Sequence, residues 1–191
     1  MRLESVTKSF GDKQVLCNLS VDIPEGKTTL ISGPSGSGKT TLLRIISELD
    51  KPDSGNIISP NNTVISFMFQ EPRLFPWLNV TENVTAVLQK PNKERAEEIL
   101  EKLGLGNDLK SIPDELSGGM KRRVALARTL IFPADLYLFD EPFAGLDPNT
   151  AKKAAEIIAE YTTGKTVIIV SHDNSMLSDE INVLTIGKTE K

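Results

Sequence analysis

Thr28-Thr-Leu-Ile-Ser-Gly-Pro-Ser-Gly-Ser-Gly-Lys-Thr40 runs from an apolar, strand-sized stretch into a glycine-rich turn, and the apolar positions that follow, Leu42, Leu43, Ile46 and Leu49, recur at helical spacing. The segment from Gly33 to Thr40 matches the phosphate-binding pattern G-x-x-x-x-G-K-S/T in the strand, loop and helix setting that the motif requires. Glycines let the backbone curl so that successive N–H groups face phosphate oxygens, and the helix behind the loop adds its positive N-terminal end. Gly33, Pro34, Ser35, Gly36, Ser37, Gly38, Lys39, Thr40 and Thr41 are therefore candidate nucleotide-binding residues. In that role Lys39 neutralises the β- and γ-phosphates and the Thr40 hydroxyl ligates Mg2+.

Strand-sized apolar runs also occur at 3–10, 15–21, 64–69, 136–139, 167–170 and 183–186. The runs from 28 onward are short and mostly buried in pattern. Helical periods lie between them, at Ala96, Ile99, Leu100 and Leu103, and at Ala151, Ala154, Ile158 and Tyr161. The second of these has Asp147 as N-cap, Pro148 in its first turn and Gly164 beyond its end. Strands alternating with helices predict an α/β fold: a phosphate-loop NTPase core whose mainly parallel sheet is covered on both faces. The tight Gly11-Asp-Lys-Gln14 turn makes the first two strands an N-terminal antiparallel β appendage. From about Glu71 to Ile131 there are helical patterns and turns but no strand. The expectation is a single domain, 1–191, with a nucleotide-binding core at 1–70 and 132–191 and an inserted helical sub-domain at 71–131.

The chain of 191 residues carries 22 Lys and Arg against 26 Asp and Glu, for a net charge of -4. Nothing in that balance offers the basic face that nucleic acid requires, so no nucleic-acid partner is expected. Its 39% hydrophobic and 25% charged residues suit a globular chain that folds without staples. Cys17 stands alone and forms no internal disulfide, and the N-terminal residues lack the apolar core of a signal peptide. No apolar run approaches the about 18 residues that span a bilayer. The expected place is the cytoplasm, and any membrane role is borrowed from a partner.

Leu136-Tyr-Leu-Phe-Asp-Glu141 is an apolar strand ending in two carboxylates. In an open α/β sheet, ligands sit beyond the carboxyl ends of strands, so both acids are expected in the phosphate-loop crevice. Asp140 suits an oxygen-ligated Mg2+, and Glu141 can polarise the water that attacks the γ-phosphate. Leu116-Ser-Gly-Gly-Met120 starts a helix poorly: Ser117 is a good cap, but each glycine behind it costs roughly 1 kcal/mol against alanine. Lys121, Arg122 and Arg123 then place cations at the wrong end of the dipole. Such a start makes sense where an anion docks on bare N–H groups, a serine hydroxyl and nearby positive charge. His172, after a buried strand, is placed to contact a γ-phosphate, and Gln70, after another, to reach Mg2+ or the attacking water.

Phosphate loop, Gln70, LSGGM, LYLFDE, Ala144-Gly-Leu-Asp147 and His172, in that order over nearly the whole chain, resemble the ATP-binding cassette (ABC) ATPases. That resemblance implies ATP with Mg2+ as ligands, and two copies packed head to tail. ATP then lies between the phosphate loop of one copy and Ser117, Gly118 and Gly119 of the other. It implies Glu141 as general base, Lys39, Gln70 and His172 as its catalytic companions, and Thr40, Gln70 and Asp140 around the metal. Asp147 is implied in communication across the dimer. Phe10 falls where the family stacks an aromatic ring, commonly Tyr, on adenine, a role that needs a ring and not a hydroxyl. Met120 stands where Gln is more frequent, which leaves the phosphate contacts of Ser117 and the backbone intact.

The run Gln70-Glu-Pro-Arg-Leu-Phe-Pro-Trp-Leu-Asn-Val-Thr-Glu-Asn83 resembles importer ATPases of the nitrate, sulfonate and taurine group. Pro72 and Pro76 stiffen a loop carrying Phe75 and Trp77, so an ordered apolar surface is expected near Gln70, where the family receives a helix of its membrane subunit. The other reading packs the two rings beneath the helical sub-domain. The resulting expectation is the ATPase of an importer of a small anionic solute, an ATP-dependent homodimer on the cytoplasmic face of the membrane. Its partners are a transmembrane permease subunit and a substrate-binding protein. An exporter or lipid and lipoprotein extractor ATPase, and a soluble non-transport cassette, remain alternatives. A small-molecule kinase shares the phosphate loop but has no need of LSGGM. The chain ends soon after Ile186, so no large C-terminal regulatory domain is expected.

Overall fold

The computed structural model describes residues 1–171 and 181–187. Its main sheet has five strands in the order β5-β6-β7-β3-β8, all parallel: β3 (Thr28–Ser32), β5 (Ile65–Met68), β6 (Leu136–Asp140), β7 (Thr166–Val170) and β8 (Asn182–Thr185). β6 and β7 are buried at every residue, as a sheet covered on both faces demands. β8, read as a buried run, is instead an edge strand with alternate residues half-exposed. The phosphate-loop helix α1 (Lys39–Ile46) ends earlier than its apolar period suggested, and Leu49 lies beyond it, half-exposed.

Alternation sorts the sheet's side chains into two cores. Leu136, Leu138, Ile168, Val170 and Ile31 pack with α1 and with Leu3, Val6 and Leu16 on one face. Tyr137, Phe139, Val167, Ile169 and Leu30 pack on the other face, against α2 (Val80–Thr85), α3 (Lys93–Lys102), α4 (Gly118–Ile131) and α5 (Pro148–Tyr161). Helices α2, α3 and α4 are the regular elements between β5 and β6, joined by a short 3-10 turn at Pro113–Glu115. α5 begins as its punctuation predicted, with the Asp147 carboxylate accepting from the N–H groups of Asn149 and Thr150 and Pro148 in the first turn.

The N-terminal appendage has three strands where two were expected. β1 (Arg2–Phe10) pairs antiparallel with β2 (Lys13–Asp22) on one side and with β4 (Ser54–Ile58) on the other. β4 escapes a sequence reading because it is short, alternates only between half-exposed and exposed, and contains Gly55. That glycine holds φ at 85°, and a Cβ there would stand 2.4 Å from the carbonyl oxygens of Glu4 and Ser5, where the β1–β4 register shifts. Gly55→Ala is therefore expected to lower stability by roughly 2 kcal/mol or more through backbone strain. Thermal melting measures it, and a variant as stable as the parent contradicts this account of β4.

Candidate functional site

The parallel ladder places the site. Ile31 of β3 and Asp140 of β6 both pair with Val170 of β7, so the phosphate loop and the two terminal carboxylates leave the sheet side by side. They wall a cleft of about 320 Å³ together with Phe10, Ser35, Gly36, Gly38, Lys39, Thr40, Thr41 and Gln70. Gly33, Pro34 and Ser37 belong to the same loop but do not line the cleft. The loop is seated by close approach: Gly38 has φ at 94°, and a Cβ there would meet Leu16 and Val15 of β2 within 2.9 Å. A two-residue turn at Gly11 and Asp12 sets Lys13 opposite Phe10, which brings Phe10, Lys13 and Val15 to the rim. Phe10 is half-exposed, with the Lys8 ammonium 5.6 Å from the ring centroid.

Inside the cleft the side chains are pre-arranged. Lys39 is buried and donates from Nζ to the carbonyls of Gly33 at 2.8 Å and Pro34 at 3.0 Å, so its charge lies over the loop. Thr40 Oγ1 donates to Asp140 Oδ2 at 2.8 Å. Asp140 is 1% exposed, and its Oδ1 has no hydrogen-bond partner among the described residues. Burial pushes the Asp140 carboxyl above the usual aspartate range, opposed by the Thr40 hydrogen bond and by the charges of Lys39 and Arg122. An orphaned buried carboxylate oxygen beside a threonine hydroxyl is an all-oxygen donor set, which fits a small hard cation. Glu141 stands next along the chain with a left-handed backbone, φ 53°. Its neighbour in expectation, His172, lies outside the described residues.

Ser117, Gly118, Gly119 and Asp147 do not line this cleft. They share another corner, where a Cβ on Gly119 would touch the Gly145 carbonyl and Leu146 at 3.4 Å. Ser117 caps α4 as expected, its Oγ accepting from the Met120 N–H at 3.2 Å, and its own O–H stays available to donate. The basic run behind it is used differently from its reading as anion-binding charge. Arg123 donates to the carbonyls of Leu103 and Gly104, and Arg122 donates to the carbonyl of Glu141. Lys121 is the remaining cation of the three.

The proline-framed loop is gripped from beneath. Buried Asn83 accepts from the Phe75 N–H at 2.8 Å and donates to the carbonyls of Phe75, Leu78 and Asn79. Arg128 of α4 donates to the carbonyls of Pro72 and Arg73. Phe75 and Trp77 contact each other with ring centroids 5.7 Å apart, and Trp77 is 74% exposed, so these rings are not core. Sequence reasoning missed Lys13, Asn83 and Arg128, and it read Arg122 as anion-binding charge rather than as a donor to the Glu141 carbonyl. The hairpin turn could have placed Lys13, whereas the others act on chain far away or carry no local pattern.

A phosphate loop, paired acids at a parallel strand end and an LSGGM-started helix define a nucleotide-binding cassette. A family model described as ABC transporter matches residues 16–144, and the chain belongs to that family as an ATP-binding, ATP-hydrolysing cassette. It is 38% identical over 194 residues to the arginine transport ATP-binding protein ArtM of Bacillus subtilis (strain 168), covering 91% of this chain and 81% of the relative. It is also 38% identical over 192 residues to the aliphatic sulfonates import ATP-binding protein SsuB 1 of Shouchella clausii (strain KSM-K16), covering 98% and 78%. Among solved structures, the dimeric bacterial ABC transporter cassette MJ0796 superposes with a TM-score of 0.84 at 32% identity, over 100% of this chain and 96% of that one. The same cassette has been solved as a dimer in a post-hydrolysis state bound to ADP and Pi.

The raised pKa of Asp140 carries a stability consequence. The folded state holds this proton more tightly than the unfolded chain, so stability falls as pH climbs from the ordinary aspartate range through the raised value and stays reduced above it. Asp140→Asn removes the charge and keeps an acceptor for Thr40. In buffer free of divalent cations it is expected to melt higher than the parent at neutral pH, with the difference shrinking in acid. A variant that melts lower at neutral pH contradicts the assignment of an uncompensated buried charge.

Proposed function

We propose that the chain is the energy-coupling ATPase of an importer for a small, anionic solute, acting as an ATP-dependent homodimer beneath a transmembrane permease subunit. A substrate-binding protein on the far side of the membrane completes the system, and the cassette itself sits on the cytoplasmic face. Among the described residues no helix is long and apolar enough to cross a membrane; in this reading the permease makes the contact with it. The observation that carries the coupling role is the exposed Phe75 and Trp77 pair on a loop held by Asn83 and Arg128, directly after Gln70 of the cleft. Relatives named for import of aliphatic sulfonates and of sulfate or thiosulfate support an anionic solute. We assign the nucleotide-binding core to 1–70 and 132–191 and the helical sub-domain to 71–131.

In this reading ATP stacks its base on Phe10 and lays its phosphates in the loop from Gly33 to Thr41. Lys39 exchanges two loop carbonyls for β- and γ-phosphate oxygens at little rearrangement, because its ammonium already lies over the loop. Thr40, Asp140 and Gln70 would hold Mg2+, which when bound neutralises charge on the phosphates. Glu141 accepts a proton from the attacking water, Gln70 and His172 orient that water and the γ-phosphate, and the bond to the β-phosphate oxygen breaks. Ser117, Gly118, Gly119 and Asp147 lie away from their own chain's cleft. A two-fold pair gives each cleft the missing cap from the second copy.

Two experiments test these roles. Glu141→Gln is expected to keep ATP binding, lose most turnover and sediment as a dimer with ATP, because the base acts only on the attacking water. Adding Ser117→Arg should return it to monomer. A Glu141→Gln protein that stays monomeric at high ATP and protein concentration contradicts the composite site. For coupling, Phe75→Ser with Trp77→Ser should leave the isolated chain folded and hydrolysing ATP. Assembly with the permease, or stimulation by it, should weaken by about 2 kcal/mol or more, the usual loss for apolar interface anchors. Normal transport by this double variant in reconstituted vesicles contradicts the importer reading.

A further inference from the structure

Glu141 has a backbone conformation that residues with long side chains seldom adopt, with φ at 53°. Left-handed non-glycine residues persist only where their surroundings over-determine them. Two bonds from different elements do so here. The Glu141 N–H donates to the Val170 carbonyl of β7 at 2.9 Å, and the Glu141 carbonyl accepts from Nη1 of Arg122 in the second turn of α4. The Ala144 N–H also donates to that carbonyl, at a longer 3.3 Å. The Arg122 side chain is half-buried; burial weakens its hold on its charge, and the Glu141 and Asp140 carboxylates strengthen it. An arginine spent on a distant main-chain carbonyl, when its neighbour Lys121 suffices for surface charge, needs a reason beyond solubility.

We propose that Arg122 is a positioning residue for hydrolysis: its hydrogen bond to the Glu141 carbonyl holds the left-handed backbone from which the Glu141 carboxylate reaches the attacking water. The inference rests on Glu141 being the general base. With N–H and carbonyl both tied, the direction in which the side chain leaves the main chain is fixed, so the carboxylate is delivered to one region of the cleft. The same helix opens with Ser117, Gly118 and Gly119. Arg122 thereby ties the turn offered to the second copy's nucleotide to the base of its own chain's site. Lysine can donate to the same carbonyl, but from a single point on a flexible stem, so it replaces the contact only in part.

The test uses the purified full chain with Arg122→Ala, Arg122→Lys, Glu141→Gln and the double variant Arg122→Ala/Glu141→Gln. In steady-state ATPase assays Arg122→Ala should lose kcat by about 10- to 100-fold, the scale of a misplaced catalytic group, with KM and titrated ATP affinity unchanged. Arg122→Lys should fall between Ala and the parent. In the Glu141→Gln background, Arg122→Ala should remove nothing further, since it acts through the side chain already replaced. If Glu141→Gln abolishes turnover while Arg122→Ala keeps the parental kcat, the positioning role is overturned and the base stands. If Glu141→Gln itself keeps turnover, the base assignment has failed instead. Should the alanine variant melt before assay, Arg122→Lys decides alone: kcat lost at constant KM supports the proposal, and equal loss of nucleotide affinity overturns it.

Discussion

The in-register parallel ladder of β6, β7 and β3 is the constraint on which the cleft depends. Parallel strands send their carboxyl ends to one side, and here Asp140, Val170 and Ile31 lie abreast, with β3 running one residue further to Ser32. The next residues of β6 and β3 are then forced into one space: Glu141 on one side, and Gly33 and its loop on the other. No side chain had to be recruited across the fold to bring Thr40 within 2.8 Å of Asp140, although 100 positions separate them. The antiparallel sheet packs on this arrangement through Leu3, Val6 and Leu16, and its hairpin end supplies Phe10 and Lys13 to the rim.

Helix α4 is the second organiser, because its cap is in place and two of its arginines hold the main chain of segments that line or adjoin the cleft. Ser117 caps its start, Arg122 holds the Glu141 carbonyl and Arg128 holds the carbonyls of Pro72 and Arg73. The helix is also packed into the core through Val124, Leu126, Ala127 and Leu130, and its Thr129 carbonyl accepts from Ser66 of β5.

Several features at the cleft cost stability. Among the described residues Asp140 is buried with one oxygen lacking a partner, Ser37 of the adjoining loop buries a hydroxyl lacking one, and Glu141 holds a left-handed backbone. Two glycines open α4 where alanine would be better for the helix. The buried charge of Asp140 and the backbone of Glu141 stand side by side where the apolar run 136–139 of β6 reaches the cleft, and they mark that strand end as a part of the molecule kept for a ligand. Burial cost at Asp140 and helix cost at Gly118 and Gly119 are offset by two continuous cores on either side of the sheet.

What the sequence by itself determined is what short-range physics controls. Strand, glycine turn and helix around Gly33 to Thr40, the cap and proline that start α5, and the serine cap of α4 depend on neighbours within four residues, so periodicity and capping rules reach them. The acids at the end of β6 were legible because parallel strands send their carboxyl ends to one side. Tertiary structure alone decided the pairing of β4 with β1, since its five residues carry no pattern without their partner. It alone turned Arg122 and Arg123 toward carbonyls some twenty residues away. It set Asn83 under the Phe75 loop and chose between the two readings of the aromatic pair by leaving Trp77 in solvent. Each of these is a choice of partner for a polar group or a ring, and the free energy of such a choice comes from contacts between segments far apart in the chain, which no local spacing encodes.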